Sequence, residues 1–159
     1  VLLNTVGLDS WAHNWLGDTK TAMPSVMALL VWYQIGYSLV IFISALQRVN
    51  PELYESAVID GASRLGVFWS ISIPHMKAEI HIVVLTTMIH ALKIFDPVYA
   101  MTDGGPGFAT SVVSYYSYRS MFQTLKVGYG SAITNILSWM ILLIIIVYVI
   151  RIIPKEQDS

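Results

Sequence analysis

The chain has 159 residues, 55% of them hydrophobic and only 12% charged, with a net charge of −1 and a mean hydropathy of +0.62. A soluble domain carries about a quarter charged residues, so the composition points to a protein embedded in a bilayer. The near-neutral charge gives no support to a nucleic-acid partner. The lack of Cys excludes disulfides, thiolate zinc sites and cysteine nucleophiles.

Val1 stands where an initiator Met would, and no basic stretch precedes an apolar core, so no signal peptide is expected. Residues 1–23 read as a loop outside the membrane, with Trp11 and Trp15 suited either to the membrane–water interface or to an external partner. The uncharged run 24–46, PSVMALLVWYQIGYSLVIFISAL, has the ~20 apolar residues needed to cross a bilayer. A second span is expected over 80–101, although it must include Lys93 and Asp96 to be long enough. A third, the most apolar, is expected over 127–152. The tail is 153–159. The expected fold is therefore all-α, a polytopic membrane protein with three spanning helices.

Three spans place loop 47–79 and the tail on one side, with Arg48, Arg64, Lys77, Arg151 and Lys155. The other side has Lys20, Arg119 and Lys126. Five against three puts loop 47–79 in the cytoplasm by the positive-inside rule, and residues 1–23 and 102–126 outside. Within the outer loop, TDGGPG at 102–107 has the residues of a turn. SVVSYYSYRSMF at 111–122 reads as an interfacial helix with Tyr115, Tyr116, Tyr118 and Phe122 as aromatic anchors.

Loop 47–79 is too polar to span and too ordered for a linker. Asn50, Pro51 and Glu52 follow the order of a helix start: a capping amide, a first-turn proline and an acid at the positive dipole end. The helix is expected from Pro51 to about Asp60, with Gly61 as a permissive turn. Ser63 is placed to cap a second short helix, which Pro74 ends or bends. An amphipathic pair lying on lipid would favour basic residues. Residues 52–64 instead carry three acids and one Arg, with small side chains at 56, 57, 61, 62 and 63. That pattern favours docking onto protein.

Glu55-Ser56-Ala57, three residues, Gly61, nine residues, Ile71, one residue and Ile73-Pro74 resemble the EAA loop of ABC-importer permeases. Asp60-Gly61-Ala62-Ser63, Phe95-Asp96-Pro97-Val98-Tyr99 and Gly104-Gly105-Pro106 look like the carbohydrate (maltose-type) branch. Ser56 and Ile73 replace the family's Ala and Leu. The resemblance runs from about Trp15 to Arg151. It implies a permease domain of roughly six helices, of which this chain is the C-terminal part. It also implies a cytoplasmic coupling helix that sits on a separate ATPase. Glu55, Ser56, Ala57, Asp60, Gly61, Ala62 and Ser63 are the residues it places at that contact. The partners implied are an ABC ATPase dimer that binds ATP and Mg, a second homologous permease, an extracytoplasmic solute-binding protein, membrane lipid and a sugar-like solute. The location implied is the inner membrane of a prokaryote.

No enzyme is expected. Gly61 to Gly66 has the glycine spacing of a phosphate loop, but Val67-Phe68 follow in place of Lys and a hydroxyl, so no cofactor is expected on this chain. His13, His75, His81 and His90 have no metal-ligand pairing. For the solute path, the polar residues within the expected spans are the candidates: Gln34, Tyr37, Ser38, Thr86, His90, Lys93 and Asn135. Each has a plainer reading as a helix–helix hydrogen bond. A rival assignment is an ion-coupled secondary transporter with His90, Lys93 and Asp96 as a charge relay on one helix face. It leaves the ordered loop 51–74 unexplained.

Overall fold

A computed structural model describes residues 13–152, and every regular element among them is helical. The two longest apolar runs form the two longest helices, α1 (Ala22–Leu46, 25 residues) and α7 (Val127–Ile152, 26 residues). At 1.5 Å per residue each is about 37 Å or more, enough for a hydrocarbon core of ~30 Å. Both are long and apolar enough to cross a membrane. Between them lie α2 (Pro51–Ile59), α3 (Arg64–Val67), α4 (Lys77–Leu92), α5 (Asp96–Met101) and α6 (Val113–Tyr118). The first twelve residues, including Trp11, and the expected tail 153–159 lie outside the described residues.

The single helix expected over 80–101 is two helices. α4 stops at Leu92 after 16 residues, about 24 Å, and α5 begins at Asp96. Pro97 is the physical reason. It has no N–H for the Lys93 carbonyl, and its ring would collide with that carbonyl in a continuous helix. Phe95, at φ −137° and ψ −59°, turns the chain between the two.

The described residues fall into two compact units: one of residues up to Val31 with Lys93–Ile144, the other of Trp32–Leu92 with the residues from Ile145. In the first, Val26, Val98 and Tyr115 form a buried core, with Ile94, Phe95, Met101 and Val112 packed against it. The loop 102–112 is closed by its own side chains. The Thr102 and Thr110 hydroxyls are 2.7 Å apart, and Thr110 donates to the Gly105 carbonyl at 2.8 Å. Tyr115 donates to the Asp103 carbonyl at 2.6 Å and its carboxylate at 2.9 Å. Burial, then the Asp103 hydrogen bond, pushes the Tyr115 hydroxyl above its usual range. Tyr115, expected as an interfacial anchor, is therefore a core residue, only 1% exposed. Tyr116 and Phe122 do face outward. A wide π turn, Arg119–Gln123, follows α6. The Ser117 hydroxyl of α6 ties it to α7, donating to the Gly130 carbonyl at 2.8 Å.

In the second unit, the later part of α1 lies against α4. Gln34 Nε2 donates to Thr87 Oγ1 at 2.7 Å, and the Tyr37 and His90 rings are 6.4 Å apart. The His81 ring and the Tyr148 hydroxyl of α7 meet at 2.9 Å.

Candidate functional site

The segment between α1 and α4 has a helix–turn–helix. The Asn50 side chain accepts from the Glu52 amide at 3.1 Å and donates to the Glu52 carboxylate at 3.2 Å. Pro51 occupies the first turn, where its missing N–H costs nothing. α2 ends in a Schellman motif. The Ala62 amide donates to the Ala57 carbonyl at 2.9 Å and the Gly61 amide to the Val58 carbonyl at 3.1 Å. Gly61 takes the left-handed conformation that this motif needs, φ +77°. A Cβ there would meet nothing within 4 Å, so the glycine answers a backbone requirement rather than a crowded one. Ser63 then caps α3, accepting from the Gly66 amide at 3.1 Å.

α3 continues without a break into a π turn, Phe68–Ser72, and a last turn, Ile73–His75. The wide turn sits one step ahead of Pro74, which cannot donate to the Ser70 carbonyl. The Met76 amide closes the end on Ser72 and Ile73. The two arms are pinned together by the Tyr54 and Ser72 hydroxyls, 3.1 Å apart.

No residue of α2 or α3 is buried. Val58, Ile59, Leu65 and Trp69 are exposed, Ile59 at 84% and Trp69 at 66%. Glu55 and Asp60 are exposed as well, and their carboxylates make no hydrogen bond or ion pair among the described residues. Capped ends, a fixed turn and a pinned base thus hold out a surface that is apolar at its tip and acidic beside it. The residues expected at the contact lie together here: Glu55, Ser56, Ala57, Asp60, Gly61, Ala62 and Ser63. The Ser56 hydroxyl is exposed and donates to the Leu53 carbonyl at 3.2 Å.

The candidates for the solute path do not form one cluster. Gln34 meets Thr87, and Tyr37 stands by His90. Tyr37 and His90 make no hydrogen bond among the described residues. Ser38, Thr86 and Asn135 are satisfied within their own helices, donating to the carbonyls of Gln34 at 2.9 Å, Ile82 at 2.8 Å and Ser131 at 2.9 Å. These bonds lie within single helices and are not the helix–helix bonds of the plainer reading; among the candidates Gln34 makes such a bond, to Thr87. In the other unit, Lys93 lines a cleft of about 360 Å3 with Phe95, Ser117, Tyr118, Thr134 and Ser138. The hydroxyl residues of α6 were missed as cleft lining because the Tyr-rich stretch reads as an interfacial anchor; the i, i+3 pair Ser114 and Ser117 was the available signal. The charge relay loses its premise. The break after Leu92 takes Lys93 and Asp96 off a common helix face, and no ion pair joins them.

Residues 1–155 match the family described as binding-protein-dependent transport system inner membrane component. The chain belongs to this family. The family is one of transport-system membrane components, not of enzymes. A probable ABC transporter permease of Bacillus subtilis is 38% identical over 135 residues, covering 85% of this chain and 46% of that protein. A diacetylchitobiose uptake system permease of Streptomyces coelicolor is 36% identical, covering 86% of this chain and 39% of that protein. This binding-protein-dependent component thus spans less than half of the length of either. A bacterial alginate ABC transporter, solved in complex with an alginate pentasaccharide-bound periplasmic protein, shares its fold. The TM-score is 0.82 at 24% identity, over 97% of this chain and 54% of that one.

Proposed function

We propose that the chain is part of the permease subunit of an ATP-driven importer, and that the helix–turn–helix 51–75 docks onto a separate cytoplasmic ATPase. The observation that carries this is the exposed, doubly capped α2–Gly61–α3 element, whose apolar tip and unpaired Glu55 have no partner among the described residues. Membership of the family supports it. ATP and Mg would bind to the ATPase, in two copies, and not to this chain. Closure of the ATPase dimer would push α2, and rigid-body rocking of packed helices would carry the motion to the solute path.

The solute is a sugar or related polyol. The diacetylchitobiose relative supports that class, as do the Gln34 amide, the Tyr37 hydroxyl and the His90 imidazole, which offer polar groups on ring-bearing walls. A second homologous permease would complete the path, and an extracytoplasmic binding protein would deliver the solute to the side bearing loop 102–126. Loop 47–79 would then face the cytoplasm of a prokaryotic cell, with the chain crossing the inner membrane more than once among lipid.

Glu55→Lys in the assembled transporter tests the docking. The expected result is loss of binding-protein-stimulated ATP hydrolysis with normal membrane insertion. Unchanged stimulation refutes the reading.

A further inference from the structure

The helix–turn–helix is joined to the long helices by short stretches: residues 47–50 after α1, and Met76 before α4. The first joint is a tight turn, with the Arg48 and Val49 amides bonded to the Ala45 and Leu46 carbonyls. Ala45, Val49 and Met76 are buried beside the joints. Across them, the Arg48 guanidinium of the first joint pairs with the Glu79 carboxylate in the first turn of α4. Among the described residues this is the one ion pair between distant parts of the chain; the other, His13 with Asp18, is local.

The pair also sits at an opening. Arg48 and Glu79 line a cleft of about 370 Å3 with Val40, Ile41, Ser44 and Ile82. Apolar packing between α1 and α4 is therefore incomplete at this level, and the ion pair bridges the gap. Its burial is uneven: the Arg48 side chain is 68% exposed and that of Glu79 is 15%. Removing the guanidinium would leave a largely desolvated carboxylate unpaired, which is the costly way to break such a pair.

We propose that Arg48 and Glu79 are positioning residues that clasp the exit of α1 to the entry of α4, so that a push on the helix–turn–helix moves both helices together. Without the clasp, the four-residue joint would bend and α2 would move alone. The proposal rests on the docking of α2 onto an ATPase.

The test uses the whole transporter with its ATPase, any cysteines outside these 159 residues, which have none, being replaced first. A spin label at Val40 of α1 or at Val84 of α4, each paired with a label on the second permease, reports how far each helix moves when MgATP is added. The expected result is an ATP-driven change in wild type that shrinks about 5-fold or more in R48Q and E79Q. The swap R48E/E79R, which reverses the pair, is expected to restore it, whereas a purely structural effect of altered side chains would not be rescued. An undiminished change in R48Q and E79Q overturns the clasp. Glu55→Lys separates the two claims. If it abolishes the change while R48Q does not, docking stands and the clasp falls. If wild type shows no ATP-driven change, the docking reading falls and takes the clasp with it.

Discussion

At Gly61 the backbone lies at φ +77° while the space beyond its Cα is open. The two facts separate conformational cost from steric cost. Gly61→Ala is expected to cost about 1–2 kcal/mol through left-handed strain alone. Gly61→Asn should cost less, because Asn tolerates that region, and Gly61→Val more. Thermal unfolding of the purified transporter checks the order; equal losses for Ala and Asn would contradict the strain account. Tyr115 makes the opposite case, a side chain fixed by its surroundings. Tyr115→Phe removes both hydroxyl bonds to Asp103 and should cost about 1 kcal/mol. The neutral hydroxyl is favoured in the fold, so this stabilisation is complete below the ordinary tyrosine value of about 10. It decays as pH rises through the higher folded-state value. A tyrosinate absorbance titration should show late-ionising signal that Tyr115→Phe diminishes.

At the scale of elements, α6 and its π turn sit tightly on α7 at Gly130. A Cβ there would lie 2.4 Å from Met121 Cγ and 2.9 Å from the Ser117 carbonyl oxygen. Gly130→Ala is expected to destabilise by about 1–3 kcal/mol through overpacking. Met121→Ala should not rescue it, since the Ser117 backbone stays in place; melting curves of the single and double variants decide. The caps of α2 and α3 were legible in the sequence because Asn50, Gly61 and Ser63 act through local backbone geometry. The break after Leu92 was also written there, in Pro97, yet the apolar composition of 80–101 hides it when span length alone is considered. The burial of Tyr115 was not legible. It follows from contacts with Asp103 and Val98, and an aromatic-rich stretch reads equally well as an interfacial helix.

For the whole molecule, the sequence carries the docking element better than the solute path. A docking helix needs caps and a turn at fixed spacing, all within about 25 residues of chain. A solute path is drawn from side chains on separate helices, and polar residues there are satisfied just as readily by their own backbone, as Ser38, Thr86 and Asn135 are. The ion pair between Arg48 and Glu79 joins residues 31 apart, and nothing in their local sequence marks it. The docking reading comes down to one contact, between the tip of α2 and an ATPase. Ile59, 84% exposed at that tip, is the residue to probe, as Ile59→Cys in a transporter whose other cysteines are replaced; these 159 residues have none of their own. With a short thiol-directed photo-crosslinker on Ile59→Cys in membranes containing the full transporter, the expected product is an adduct with the ATPase whose yield changes when MgATP is added. An adduct confined to lipid or to the second permease, with the ATPase unlabelled, would contradict it.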